Sequence, residues 1–155
     1  MIPDDVKLAR ERLVNLYREW MGKFAIVSIE DGLHEEDWQG WATMKEKLER
    51  EPAAWKQTVM LIGDDLSVTN VSRLKQAIAE HACNAVLIKV NQIGTVTETL
   101  DCMRLAQSES MNRIISHRSG ETPDDFIADL AVGTGAEFIK SGSLSRGERL
   151  AKYNR

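Results

Sequence analysis

The chain contains the run Ala85-Val86-Leu87-Ile88-Lys89-Val90-Asn91-Gln92, in which apolar residues give way to a lysine and two amide side chains. A short, almost continuous apolar run of this kind is typical of a strand that is buried on both faces of a parallel sheet. Four further apolar runs followed by polar residues share this pattern: Phe24 to Ile29, Val59 to Ile62, Arg113 to Ser116, and Glu137 to Ile139. Their spacing predicts an α/β fold of about five parallel βα units.

Helices are predicted before and between the strands, at Leu8 to Met21, Trp38 to Leu48, Val71 to His81, and Val96 to Gln107. Asn70 suits the N-cap of the third of these helices. Thr122 is predicted to cap another helix, with Pro123 at its first position. Because no linker rich in Pro, Gly or Ser interrupts the chain, we expect residues 1–155 to form one domain, with residues 1–22 as a leading helix.

The composition narrows the class of protein. The 155 residues are 43% hydrophobic, which is enough for one buried core, and the net charge of -4 gives no electrostatic reason to expect nucleic acid or an anionic membrane as partner. Cys83 and Cys102 lie outside the spacings of zinc sites and disulfide frameworks, which fits a reducing compartment. No apolar run approaches the roughly 18 residues of a membrane span. We expect a cytoplasmic protein.

Polar side chains follow each predicted strand at its carboxyl end. The five clusters are Glu30-Asp31, Asp64-Asp65, Lys89 with Asn91-Gln92, Ser116-His117-Arg118-Ser119, and Lys140-Ser141. The carboxyl ends of parallel strands meet at one edge of a sheet or barrel, where the active sites of such folds lie. The sequence therefore predicts one pocket that contains carboxylates, lysines, a histidine and an arginine.

These residue types suit a metal ion and an anionic substrate. Glu30 and Asp64 offer the hard oxygen ligands that Mg²⁺ prefers, and Arg118 offers a planar fork for phosphate or carboxylate. Lys89 is predicted to act as a general base beside a second cation, Lys140. The alternative is structural, since acidic pairs often cap the following helix and a lysine in an apolar run often pairs with a carboxylate. A Ser/His nucleophilic pair at residues 116–117 is rejected, because adjacent strand residues point to opposite faces.

Several long motifs, in order and in register, resemble the enolase family from about Val14 to the C-terminus. They are Ser28-Ile29-Glu30-Asp31-Gly32-Leu33, Gly63-Asp64-Asp65-Leu66-Ser67-Val68-Thr69-Asn70, Ile88-Lys89-Val90-Asn91-Gln92-Ile93-Gly94, Ser116-His117-Arg118-Ser119-Gly120-Glu121-Thr122, and Ile139-Lys140-Ser141-Gly142. The resemblance implies an incomplete TIM-type (βα) barrel, corresponding to the C-terminal part of the enolase barrel.

The resemblance also implies a function, the Mg²⁺-dependent dehydration of 2-phosphoglycerate to phosphoenolpyruvate by phosphopyruvate hydratase, a lyase of glycolysis. It assigns Glu30 and Asp64 as magnesium ligands and Lys89 as the base that takes the C2 proton. Lys140 would contact the substrate carboxylate and support the enolate as a second catalytic residue. The implied substrate-binding residues are Glu30, His117, Arg118, Ser119 and Lys140. Magnesium would stabilise the negative charge that develops when this weakly acidic proton leaves.

Departures from the family pattern limit this expectation. In enolases a preceding N-terminal portion supplies a third magnesium carboxylate and the general acid, neither of which is found in this sequence. We therefore expect little activity from the chain alone, and as partner either a complementing N-terminal enolase portion or a second copy. Glu49 to Gln57 resembles an insertion, and Ser141 replaces a more usual Thr. The alternatives are a non-catalytic enolase-derived binding or assembly protein, and a superfamily member acting on another acid, which the Ser116 to Thr122 motif opposes.

Overall fold

Five parallel strands form a curled half-barrel, as the sequence predicts. The computed structural model describes residues 4–50 and 58–155, so most of the predicted insertion, Glu49 to Gln57, lies outside the described residues. The strands are β1 Ser28–Glu30, β2 Met60–Gly63, β3 Ala85–Ile88, β4 Asn112–Ser116 and β5 Phe138–Lys140. They are hydrogen-bonded in chain order from β1 to β5, which is the arrangement of an incomplete TIM-type barrel.

Seven helices are described around this sheet: α1 Asp4–Lys23, α2 Trp38–Arg50, α3 Val71–Ala79, α4 Val90–Ile93, α5 Val96–Ser108, α6 Phe126–Thr134 and α7 Gly147–Asn154. The four helices predicted before and between the strands are confirmed, and Asn70 caps α3 through its side chain, which accepts hydrogen bonds from Ser72 N and Arg73 N. The short helix α4 was not predicted. It begins directly after Lys89, which is its N-cap residue, and ends at Gly94 in the left-handed region.

The predicted start of α6 is wrong. Thr122 and Pro123 precede the helix, which begins at Phe126. Asp125 is the N-cap residue and makes no side-chain capping bond, and the Phe126 amide donates to Asp124 Oδ1 at 3.0 Å in the preceding turn. The carbonyl of Thr122 accepts instead from Lys152 Nζ at 2.8 Å. The segment before α6 is thus held by a contact with α7.

The prediction that all five strands are covered on both faces holds only for the central ones. β3 is buried throughout, whereas every residue of β5 is exposed. The run from Phe24 to Ile29 yields only the three-residue strand β1, and Phe24 and Val27 before it are 59% and 51% exposed. An edge strand has a neighbour on one side alone, which explains this difference.

Two apolar layers follow from the strand register. Residues that are partners across parallel strands project to the same face, and Glu30 is the partner of Ile62, which in turn is the partner of Ala85. The small layer on this inner face consists of Met60, Ile62, Ala85, Leu87 and Ile114. Its four buried members show that the curl of the sheet packs this face.

The larger core lies between the outer face of the sheet and the helices. It includes Trp41, Leu61, Leu74, Val86 and Ile115, all fully buried. Among the described residues, no helix is long and apolar enough to cross a membrane. At the carboxyl edge of the sheet, polar residues follow the apolar residues of the inner face, and these polar residues form the candidate site.

Candidate active site at the carboxyl edge of the half-barrel

Charged side chains cap the inner-face apolar layer at the carboxyl edge of the sheet. Glu30 and Lys140 are the last residues of β1 and β5, the two edge strands. Asp64 and Lys89 each follow the last residue of their strand by one position. Because strand side chains alternate, Asp64 continues the face of Ile62, and Lys89 that of Leu87. The four charged residues therefore gather at one rim, as the sequence predicts.

Asp64 is the most enclosed acid of this rim, with 7% of its surface exposed. Its Oδ2 atom is in hydrogen-bonding contact with the ammonium of Lys89. Its Oδ1 atom accepts a hydrogen bond of 3.0 Å from Gln92 Nε2, in α4. Both carboxylate oxygens thus have a positive or polar donor, which offsets the cost of burying the charge.

Glu30 has a second lysine as its partner. Lys140 Nζ donates to Glu30 Oε1 at 2.6 Å and lies 2.9 Å from Oε2. Since β1 and β5 are the two edges of the sheet, this ion pair spans the open mouth of the half-barrel. Both side chains are partly exposed, at 32% for Glu30 and 44% for Lys140. A ligand entering from solvent can therefore reach this pair.

Asp31 has a positioning role that the sequence did not reveal. Its Oδ1 accepts from the Asp64 amide at 2.9 Å, and its Oδ2 accepts from the Asp65 amide at 3.1 Å. Burial raises the pKa of Asp31, and the neighbouring carboxylates of Asp64 and Asp65 add to this effect. Asp31 therefore fixes the turn after β2. The sequence feature that points to this role is the acidic pair Glu30-Asp31, of which only Glu30 was predicted to have a function.

Residues 117–119, which follow β4, are held by Arg149 of α7. Arg149 Nη1 donates to the Arg118 carbonyl at 3.0 Å, and Nη2 donates to the Ser119 carbonyl at 3.1 Å. The same guanidinium is in contact with His117 Nδ1. Desolvation lowers the pKa of His117, with a further contribution from the charge of Arg149. The neutral form of His117 is thus favoured, and one of its nitrogens already faces a donor.

The structure does not place the predicted substrate-binding residues in one cavity with the two lysines: Arg118 and His117 line different cavities, and neither of these is lined by Lys89 or Lys140. The His117 amide donates to the Lys140 carbonyl at 2.9 Å, which joins this segment to β5. The Arg118 side chain donates to Asn91 Oδ1 at 3.1 Å rather than to a carboxylate, so its charge is not neutralised there. A cavity of about 420 Å³ lies beside it, between α4 and the segment after β4. Ser116 Oγ donates to the His117 carbonyl, which agrees with the rejection of a Ser/His pair.

The donor set fits a hard divalent cation. Two acids, Glu30 and Asp64, face the rim, and each is paired with a lysine ammonium with which a metal ion would have to compete. Among the described residues, the group of three carboxylates whose oxygens lie within 4.8 Å of one another is Asp31, Asp64 and Asp65. Magnesium sites in proteins use one or two carboxylates with waters and substrate oxygens, and such a set is available here. Ser141, beside Lys140, is buried and its hydroxyl has no hydrogen-bond partner among the described residues, so it is available to a ligand.

Comparison with known proteins agrees with this geometry. The family model of the enolase C-terminal TIM barrel domain matches residues 3–155. The chain is 50% identical over 147 residues to an enolase from Natranaerobius thermophilus. That match covers 95% of this chain and 33% of the relative, so the chain spans about a third of the length of the curated protein that it resembles. The half-barrel, its charged rim and these similarities together show that the chain belongs to the enolase family, as a C-terminal TIM-barrel domain.

Proposed function

We propose that the rim of this half-barrel takes part in the Mg²⁺-dependent dehydration of 2-phosphoglycerate to phosphoenolpyruvate. The observation that carries the proposal is the gathering of Asp64, Lys89, Glu30 and Lys140, from four different strands, as two carboxylate–ammonium pairs on one edge. The family supports the choice of substrate, and the hard oxygen ligands support the choice of metal.

Glu30 and Asp64 would hold the magnesium ion, which supplies electrostatic stabilisation of the negative charge on the substrate as its C2 proton leaves. Lys89 would take that proton. The Lys89 ammonium contacts Asp64, so Lys89 must release a proton and give up this contact before it can serve as a base. A magnesium ion bound to Asp64 would compete with the Lys89 ammonium for this carboxylate and would weaken their ion pair.

Lys140 and the segment after β4 would hold the substrate anion. The Lys140 ammonium is positioned to meet the carboxylate group, where negative charge increases in the enolate. Arg118 would bind the phosphate through its fork of N–H donors, for which it would exchange its single bond to Asn91. His117 and Ser119, held by Arg149, would complete the pocket. Loss of the C3 hydroxyl as water then completes the reaction.

The proposed site is partial, because proton transfer to the departing hydroxyl needs a general acid that the family resemblance assigns to a preceding portion. Removal of such a group costs about 10² to 10⁴ in rate. We therefore propose that the chain is catalytic only with a complementing N-terminal enolase portion. The test is to mix this chain with residues of the Natranaerobius thermophilus enolase that lie outside the match, and to follow phosphoenolpyruvate formation.

The expected result is Mg²⁺-dependent activity with the wild-type chain and at least about a hundredfold loss with Lys89→Met. Lys45→Met is the matched control, since Lys45 pairs with Glu49 on α2, away from the rim. A folded complex that shows no activity, or one that keeps its activity with Lys89→Met, would reject the proposal.

A second candidate is a non-catalytic enolase-derived protein that binds a partner or assembles with itself. The apolar side chains at the two sheet edges favour it, since Phe24 and Phe138 are 59% and 46% exposed. A measurement of molar mass in solution, together with the effect of Lys89→Met, distinguishes the two. An oligomer whose biological role is unchanged by Lys89→Met supports this candidate over the enzyme.

A further inference from the structure

We infer that Thr69 and Gln92 are positioning residues, which set the orientation of Asp64 and Lys89 through a closed ring of hydrogen bonds. The inference rests on the proposed function, because it concerns the same acid and the same base. Neither residue was given a role in the sequence analysis, although both lie within family motifs. Both belong to segments that follow strands, Thr69 after β2 and Gln92 in α4 after β3.

The ring is continuous through four residues. The Lys89 amide donates to Thr69 Oγ1 at 2.9 Å. The Thr69 hydroxyl donates in turn to Gln92 Oε1 at 2.9 Å. Gln92 Nε2 donates to Asp64 Oδ1 at 3.0 Å, and Asp64 Oδ2 contacts the Lys89 ammonium. The ring thus begins at the backbone of the proposed base and returns to its side chain.

The directions of these bonds follow from their chemistry. An amide N–H can only donate, so the Thr69 oxygen must accept from Lys89, and its single proton is left for Gln92. This proton selects the carbonyl end of the Gln92 amide, and the NH₂ end is therefore turned toward Asp64. Reversal of the amide would set its oxygen against a carboxylate oxygen. Thr69 consequently determines which group the proposed metal ligand faces.

The backbone conformation at Thr69 is unusual for its residue type, which supports a specific role for this side chain. Val68 and Thr69 have φ values of 43° and 57°, in the left-handed region that β-branched residues rarely adopt. Thr69 is fully buried, and its hydroxyl is engaged on both sides of the ring. Strained β-branched residues persist where the surrounding structure holds them, often at functional sites. Here the strained turn brings the hydroxyl between the strand ends that carry Asp64 and Lys89.

The test compares four single variants of the full chain and the double variant Thr69→Val/Gln92→Met. Thr69→Val removes the hydroxyl and keeps the shape, Gln92→Met removes the amide, and Thr69→Ser restores the hydroxyl. Thr99→Val is the matched control, because Thr99 is also fully buried but its hydroxyl donates to the Thr95 carbonyl within α5. Two quantities are measured in each folded variant: the Mg²⁺ affinity by calorimetry and the hydrogen exchange rate of the Lys89 amide by NMR.

Loss of a residue that orients a metal ligand typically weakens metal affinity by about 10- to 100-fold. We expect Thr69→Val and Gln92→Met each to weaken Mg²⁺ binding at least about tenfold, with Thr69→Ser and Thr99→Val within about twofold of the wild type. The double variant should be no weaker than the weaker single variant, because both break one ring. Exchange at the Lys89 amide should accelerate in Thr69→Val alone among the single variants.

Unchanged Mg²⁺ affinity in Thr69→Val and Gln92→Met would overturn the inference, as would an equal loss in Thr99→Val. If Thr69→Val does not fold, Gln92→Met decides, since Gln92 is partly exposed. If the wild-type chain binds no Mg²⁺, the proposal of a metal site is rejected. The ring of hydrogen bonds is then tested by the hydrogen exchange measurement alone. Accelerated exchange of the Lys89 amide in Thr69→Val would then still support it, and unchanged exchange would overturn it.

Discussion

Lys140 and Glu30 are separated by 110 positions in the chain, yet the Lys140 ammonium lies 2.6 Å from Glu30 Oε1. These residues end the two edge strands, so their contact joins the two sides of the half-barrel mouth. Exposed ion pairs of this kind contribute only about 0.2–1 kcal/mol to stability. The pair therefore adds little to stability, which is compatible with the substrate-binding role that we propose for both residues.

The first prediction concerns this pair. Lys140→Met should change the free energy of unfolding by less than about 1 kcal/mol, as measured by urea denaturation. In the complemented complex it should weaken phosphoenolpyruvate binding about tenfold or more, because a charge-assisted hydrogen bond to the anion is lost. A large loss of stability with unchanged ligand affinity would show that the pair is structural.

The second prediction concerns competition between Lys89 and Mg²⁺ for Asp64. Lys89→Met leaves an enclosed carboxylate with Gln92 as its remaining side-chain donor, which should cost about 1–3 kcal/mol of stability without metal. Because the metal no longer has to displace an ammonium, Mg²⁺ should then raise the Tm of Lys89→Met more than that of the wild type. Lys45→Met should respond as the wild type does. A smaller Mg²⁺ effect in Lys89→Met would contradict the prediction.

The third prediction concerns Gly142, after β5. Its φ is +76°, and an added Cβ would lie 3.1 Å from His117 Cε1. Gly142→Ala should therefore combine a backbone cost of about 1 kcal/mol with displacement of the proposed substrate-binding histidine. Gly135→Ala is the matched control, since its φ of +62° carries a similar backbone cost but no atom lies within 4 Å of the added Cβ.

Thermal unfolding and the His117 NMR signals measure the two effects separately. Both variants should lose stability, and only Gly142→Ala should shift the His117 resonances. Equal behaviour of the two variants would show that the space beside His117 does not constrain that side chain.

The fourth prediction concerns acid stability. A hydrogen bond from the Arg113 side chain is the largest cause that lowers the pKa of Glu137 to about 2 from its ordinary 4.5. A carboxyl group whose folded pKa is depressed contributes stability that is complete above its unfolded pKa and is lost as the pH falls toward the folded value. The wild type should therefore lose stability between about pH 4.5 and pH 2.

Urea denaturation at several pH values measures this loss. Glu137→Gln should be less stable at neutral pH and should show a flatter acid limb. Glu46→Gln is the control, because Glu46 pairs with Arg50 on the exposed face of α2. An acid limb in Glu137→Gln as steep as that of the wild type would assign the loss to other carboxyl groups.

The central features of the fold were predictable from local patterns. Ala85–Ile88 reads as a strand because it is apolar throughout, and Asn70 reads as a cap because its side chain can reach the first free amides of α3. The half-barrel itself came from the family resemblance, since apolar runs alone do not distinguish an open sheet from a barrel. Composition also could not tell edge strands from central ones, which is why the burial of Phe138 was misjudged.

The candidate site was predictable to the extent that it depends on strand ends. Parallel strands deliver Asp64 and Lys89 to one edge, whatever their exact partners. The partners themselves come from tertiary packing. Arg149 lies 32 positions from His117, and Lys152, which donates to the Thr122 carbonyl, lies 30 positions from Thr122. No local pattern encodes such contacts.

Glu30 and Asp64 are proposed to hold one cation at the rim that they share with Lys89 and Lys140. Paramagnetic broadening by Mn²⁺, which replaces Mg²⁺ at oxygen sites, tests this proposal most directly in the NMR spectrum of the full chain. The amides of these four residues should broaden together at low Mn²⁺, and those of His81 and Ser110 should stay sharp. Asp64→Asn should abolish the effect. Broadening spread over the acidic surface, or unchanged in Asp64→Asn, would contradict the account.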